Sequence, residues 1–451
     1  MYEKPPLKLW LGSLAPLLLG ESNFSVRLLD GLLGVATVLL TVSIMEMLTG
    51  SVWLALVAGL LLLGMPELVI SHHGFRRAVL DGLLTVLTLL VVQGTWRLLA
   101  LESGVASRRS ITRAALWVGI LCSLGVLTKS VAGFVPALCA ALAWLVASED
   151  TAGSWFTRVV RNRVWLCIVV PPVATFLGYC VALWLVVGPK ALDVFIGVEI
   201  LTRTFAGFEG HNTGQRWFYL SSLFVRGSAV PRALLIVGLV GALGAALTAT
   251  KKRHELRFLL VWACVPVILY SLAASKVPWY LNPFLPCIGM LSVAGAWQLI
   301  IFLKQRYGKI IARSFFALVV IATLPAYARA IMRHAESVHA STERIELDTF
   351  VSRLRREYTS FVVLEKSLSG RSNPLNGRFN VEGIYREMLR PGLRIVSTIE
   401  ELNPQPGEVV LVREESLAKI PSGWRELGRI PPYASRTWGV VAVVYEGDKR
   451  E

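Results

Sequence analysis

The sequence has 451 residues, 54% hydrophobic and only 17% charged, with 46 Lys and Arg against 30 Asp and Glu for a formal charge of +16. That composition excludes a largely disordered chain. Apolar runs such as VATVLLTVSIMEML and LVAGLLLLGM also exclude a soluble nucleic-acid binder with its cations on one polar face. The chain reads as an integral membrane protein.

In chain order, the N-terminal stretch LKLWLGSLAPLLL is too short to span and reads as an interfacial helix. Ten segments then approach the roughly 20 apolar residues that a spanning helix needs. They lie near 28–49, 52–71, 78–99, 111–128, 130–148, 163–187, 229–249, 255–273, 280–302 and 311–329. The expected domains are a membrane part, 1–330, and a soluble part, 331–451. The first carries 28 Lys and Arg against 13 Asp and Glu, the second 18 against 17, so the basic excess belongs to the membrane part. The six cysteines all lie in or beside apolar segments, without metal or redox spacing, and read as small buried hydrophobes.

Parity orients the spans. Arg108 and Arg109, then Arg158, Arg161 and Arg163, then Lys251, Lys252, Arg253 and Arg257, then Lys304, Arg306, Lys309 and Arg313 fall in connections on one side. The positive-inside rule makes that side cytoplasmic. The N-terminal residues, the 72–77 loop, a long 188–228 loop and the C-terminal domain are then outside.

The outside face also carries cations, against that bias: Lys4, Arg76, Arg77, Lys129, Arg203, Arg216 and Lys276. Holding a phosphate at the membrane surface would explain them, because fixed cations form charge-assisted bonds to its oxygens. Each also has a plainer reading. Lys4 can snorkel to the interface, Arg216 beside WFY can be an anchor, and His211 can be an ordinary loop residue. Asp81, one turn inside a span, needs a cation or an aqueous cavity, and Arg77 lies four residues away. The last 121 residues combine a charged helix at 340–357 with the strand-like FVVLEKS, LRIVST, EVVLVRE and WGVVAVVYEG, which suggests a small α/β domain.

Several stretches together carry a resemblance: YEKPPLKLWL followed by GESNFSVRLLDGLLG, then RRAVLDGLLTVLTLL, LGVLTKSVAGFVP, HNTGQRWFYL and SKVPWYLNPFLP. In this order they resemble the bacterial membrane glycosyltransferases related to protein O-mannosyltransferases and aminoarabinose lipid A transferases. The resemblance implies an all-α polytopic GT-C fold with a small extracytoplasmic C-terminal α/β domain, in the bacterial inner membrane. It also implies transfer, with inversion, of a sugar from a polyprenyl-phosphate carrier to a lipid, glycan or protein acceptor. Lys4 and Arg216 would grip the carrier phosphate, with Lys129 and Lys276 as further substrate-binding positions. Asp81 would be the acid near the reaction centre, and Glu3 and His211 would bind a divalent metal, with no other cofactor. Membrane lipids are the remaining partners, and nucleic acid is not one.

The family pattern places a transmembrane helix and an acidic first loop before the EKPP stretch. The start of this chain is therefore expected to be incomplete, with the usual first-loop acid missing. Two alternatives follow: a non-catalytic relative that binds the donor lipid, and a membrane transporter.

Overall fold

A computed structural model describes residues 4–20, 22–69, 74–75, 79–104, 106–147, 163–207, 215–224, 231–248, 252–358, 361–364, 393–396, 403, 405–413, 417, 423–430 and 440–446. They form two compact units, Met1–His334 and Ala335–Glu451.

The first unit is helical. In chain order its helices are α1 (Leu7–Leu19), α2 (Asn23–Thr49), α3 (Val52–Leu63), α4 (Pro66–Val69), α5 (Leu80–Ser103), α6 (Arg108–Lys129) and α7 (Phe134–Ala147). Then come α8 (Val164–Val186), α9 (Pro189–Leu192), α10 (Phe218–Phe224), α11 (Arg232–Leu247), α12 (Arg253–Leu272), α13 (Leu285–Tyr307) and the apolar part of α14 (Lys309–Glu357). Among the described residues seven helical stretches are long and apolar enough to cross a membrane, one of them Arg108–Val146, which contains both α6 and α7. The protein is a multi-pass membrane protein. All ten expected segments fall on helices, but α3 and α11 are only 12 and 16 residues long, and a turn at Gly64 divides 52–71.

Local sequence explains several boundaries. Ser22 and Ser25 form a reciprocal capping box that starts α2, and Gly50 in the left-handed region ends it. Hydroxyls inside the apolar helices bond their own backbone: Thr37 donates to the Leu33 carbonyl, Thr88 to Leu84, Thr95 to Val91 and Ser292 to Ile288. A hydroxyl without water is thereby satisfied.

Helices α5 and α13 occupy the centre. Leu285–Ala296 of α13 is buried throughout, and so is Asp81–Leu89 of α5. By contrast α8 exposes Val170, Val173, Leu177, Val181 and Leu185, an apolar face suited to lipid. Close packing of α11 on α13 relies on glycine. A Cβ on Gly241 would overlap the Gly295 carbonyl, and one on Gly295 would overlap that of Gly238.

The 188–228 stretch, expected as a loop, is substantially helical. After α9 it continues as a π-helix, Asp193–Ala206, ended by Gly207 at φ 83°. Apolar residues (Val194, Phe195, Ile196, Val198, Ile200, Leu201) interleave with charged ones there, and Phe195 is fully buried. The loop reading, taken from the gap between the apolar segments on either side, missed that pattern.

The second unit has a five-stranded sheet, β1 (Phe361–Leu364), β2 (Leu393–Val396), β3 (Val409–Arg413), β4 (Trp424–Ile430) and β5 (Val440–Tyr445), in the order β2-β1-β3-β5-β4. The β2, β1 and β3 strands run parallel, whereas β3, β5 and β4 alternate in direction. Val409 to Val412 are all fully buried, so β3 is covered on both faces. The four strand-like stretches match β1, β2, β3 and β5. The unexpected one is β4, WRELGRI, whose charges hid its alternation.

Candidate active site

The candidate residues meet where α5 begins and α6 ends. Antiparallel packing of these helices puts Asp81, in the first turn of α5, beside Lys129, in the last turn of α6. The two form an ion pair, and the Asp81 side chain is 2% exposed. Lys129 also lies over the Tyr280 ring, 5.4 Å from its centroid. Asp81 therefore has the cation that its depth demanded, and the lysine comes from another helix.

Lys129 is aimed by a break in the chain. Ser130 takes φ 52°, ψ −128°, the one non-glycine residue with positive φ among those described, and a short 3-10 turn, Ser130–Gly133, follows. Such a backbone costs of order 1–3 kcal/mol and persists where the surroundings enforce it. Here Gly133 packs directly on the Gly125 backbone, so closely that a side chain at 133 would not fit.

Lys4 precedes α1 in the Lys-Pro-Pro stretch, where Pro5 and Pro6 fix the backbone. Its ammonium pairs with Glu199 of the π-helix, and the second oxygen of the same carboxylate accepts from Arg203 at 3.0 Å. The Glu199 side chain is 4% exposed, Arg203 18% and Lys4 35%. Burial pushes the Lys4 ammonium below the ordinary lysine range. Glu199 opposes that shift, while the neighbouring Arg203 and Lys129 cations add to it.

The stretch before α13 closes the same region. The Ser275 and Ala274 amides donate to the Arg203 and Thr204 carbonyls at 3.0 and 2.8 Å, which ties residues 274–275 to the π-helix. Lys276 follows, 6% exposed, donating to the Ala273 carbonyl at 2.6 Å. The Tyr219 hydroxyl donates to the Val277 carbonyl at 3.1 Å and holds the chain into the aromatic group Tyr219, Tyr270 and Tyr280.

Lys4, Asp81 and Lys129 thus come together with Glu199 and Arg203, and Lys276 adjoins them. Arg216 is exposed in the turn before α10 and is not one of the ion-paired groups. Glu3 and His211, the expected metal ligands, lie outside the described residues, as do Arg76 and Arg77. Among the described residues no three His, Cys, Asp or Glu are grouped to hold a metal ion.

Two features were not anticipated. Glu199 was passed over, although its spacing from Arg203 is a helical pairing signal. The other is a buried pair beneath α1: Lys8 donates to Asp30 of α2 at 2.6 Å, with the side chains 5% and 0% exposed. The Asp30 position in VRLLDGLLG, inside an apolar run, was its signal.

Comparison with known proteins agrees with this architecture. The family model for dolichyl-phosphate-mannose-protein mannosyltransferase matches residues 3–179. An undecaprenyl phosphate-alpha-4-amino-4-deoxy-L-arabinose arabinosyl transferase of Proteus mirabilis is 30% identical over 303 residues, covering 64% of this chain and 49% of the relative. The corresponding transferase of Pectobacterium atrosepticum is 30% identical over 307 residues, covering 66% and 49%. The chain thus spans about half the length of these curated relatives. Among solved structures, ArnT from Cupriavidus metallidurans bound to undecaprenyl phosphate superposes with a TM-score of 0.60 at 18% identity, covering 98% of this chain and 88% of that one. At that identity the likeness establishes the GT-C fold.

Proposed function

We propose that the chain, which resembles the mannosyltransferase and aminoarabinose transferase family, transfers a glycosyl group from a polyprenyl-phosphate-linked sugar to a lipid, glycan or protein acceptor. The site lies at the extracytoplasmic face of the inner membrane. One observation carries the reading: Lys4, Lys129 and Arg203, from three separate segments, converge around Asp81 and Glu199. A surplus of partly buried cations over carboxylates at the end of a membrane bundle suits an anionic lipid headgroup.

The chemistry follows from where charge develops. As the bond from the anomeric carbon to the phosphate oxygen breaks, negative charge grows on the phosphate. Cations already fixed beside it stabilise that transition state more than the ground state. Lys4 is the first of these, with Arg216, exposed in the turn before α10, as the second phosphate contact that the resemblance implies. Lys129 and Lys276 complete the positive surroundings.

Asp81 orients the acceptor hydroxyl near the anomeric carbon, on the face opposite the departing phosphate, so the transfer inverts configuration. Held by Lys129, its carboxylate contributes by positioning. Glu3 and His211 stay in the proposal as ligands for a divalent metal on the strength of the resemblance alone; such an ion would neutralise phosphate charge.

The test compares donor turnover in membranes containing wild type, Lys4→Ala or Arg216→Ala. A loss of about 10²-fold or more is expected for Lys4→Ala. Unchanged turnover in both variants would sink the phosphate assignment.

A further inference from the structure

We infer that Glu199 is a built-in occupant of the phosphate seat, a carboxylate that holds Lys4 until the carrier phosphate arrives and then yields it. The inference rests on the phosphate reading above and names a residue that decides how tightly the seat binds.

The geometry is that of one anion bridging two cations. One Glu199 oxygen pairs with Lys4 and the other accepts from Arg203 at 3.0 Å. A phosphate presents two anionic oxygens to such a pair in the same manner. The order of burial gives the exchange a direction. Lys4 is the most exposed of the three, at 35%, and Glu199 the least, at 4%. A headgroup arriving from outside meets Lys4 first, while Arg203 keeps its hold on Glu199 from one turn along the same segment. The cation can therefore change partners without leaving the carboxylate unpaired.

Glu199 is carried on a segment of uncommon geometry. Residues 193–206 form a π-helix, a geometry that is rare and occurs chiefly as short insertions at functional sites. The Thr202 hydroxyl donates to Gly197 at 2.9 Å, and the Gly207 amide to Thr202 at 2.8 Å, both across five residues.

The placeholder also separates donor from product. The donor is a phosphodiester with one negative charge, whereas the released polyprenyl phosphate is a monoester carrying about −1.5 to −2. Kept nearby by Arg203, the Glu199 carboxylate competes for Lys4 and repels the monoester more strongly, which favours product release.

The experiment places the full chain in lipid nanodiscs and titrates it with undecaprenyl phosphate, with undecaprenol as the uncharged control. Glu199→Gln retains an acceptor for Arg203 and removes the charge, and thermal unfolding verifies that it folds. The expected result is binding of the phosphate about tenfold tighter than wild type, with undecaprenol unaffected. In the Lys4→Ala background the same substitution should give no gain. Equal or weaker binding by Glu199→Gln, with wild type still preferring the phosphate to the alcohol, would overturn the placeholder and make Glu199 a support for Lys4. No preference for the phosphate in either protein would instead overturn the phosphate seat itself, and the placeholder with it.

Discussion

Replacing Lys8 by Met tests the least expected contact in the membrane unit. Lys8 of α1 and Asp30 of α2 pair at 2.6 Å, with side chains 5% and 0% exposed. One Asp30 oxygen, Oδ1, has no hydrogen-bond partner among the described residues, and a Cβ on Gly82 would lie 3.0 Å from it. Removing Lys8 therefore strands a carboxylate with no solvent to receive its charge. Breaking one side of such a pair costs about 3–5 kcal/mol. Asp30→Leu strands the ammonium, but Lys8 lies near the start of α1 and can extend toward water, so its cost should be at the low end of that range.

Removing both charges is different. The pair is incompletely satisfied, and an apolar replacement of similar volume is often neutral or stabilising by about 1–4 kcal/mol. Lys8→Met/Asp30→Leu should therefore unfold within about 1–2 kcal/mol of wild type. The assay is a double-mutant cycle read by thermal unfolding in one detergent. An additive loss in the double variant would refute the reasoning, as would Lys8→Met leaving the midpoint unchanged.

Other consequences are open to measurement. Gly295→Leu should separate α11 from α13 and lower the unfolding midpoint by an amount equivalent to about 1–3 kcal/mol or more, whereas Gly244→Leu, with nothing within 4 Å of its missing Cβ, should leave it nearly unchanged. At Ser130, with φ 52°, glycine should be tolerated or stabilising in thermal unfolding, and Ser130→Val should destabilise and reduce turnover by misplacing Lys129. Because burial holds Lys4 below the ordinary lysine range, its ammonium titrates before that of a free lysine. The folded chain then binds fewer protons at this group than the unfolded one. Its contribution to stability accordingly increases as pH rises from the folded value to the unfolded value. Phosphate affinity runs the opposite way, falling as pH rises through the folded value. A titration series run up to the ordinary lysine range should show that fall in wild type, and Lys4→Arg should lose it. If the metal expectation is right, a chelator should lower donor turnover; unchanged turnover would remove Glu3 and His211 from the account.

Much of the helical order was legible because apolar length is a strong signal in a lipid environment. The segments at 78–99, 111–128 and 163–187 lie within α5, α6 and α8 to within a few residues. Lengths were less legible in 52–71 and 229–249, where α3 ends at Gly64 and α11 begins only after Pro231 and ends at Thr248. Sequence spacing also linked Asp81 to Arg77, four residues before it. The pairing with Lys129, 48 residues on, depends on how α5 packs against α6, which no local pattern encodes. Glu199 was hidden by the same limit, because its partner Lys4 lies 195 residues away. The site residues that could be named were those in the EKPP, RRAVLDG, TKS, HNTGQRW and SKVPWY stretches. Their importance came from family resemblance, and Glu199 emerged only in three dimensions.

The most direct test of the central claim is the location of a bound carrier phosphate. In an electron-microscopy map of the full chain with undecaprenyl phosphate, the account predicts the phosphorus beside Lys4, within hydrogen-bonding reach of its ammonium, with Glu199 turned away from it. A headgroup bound elsewhere on the bundle, with the Lys4–Glu199 pair intact, would contradict the account.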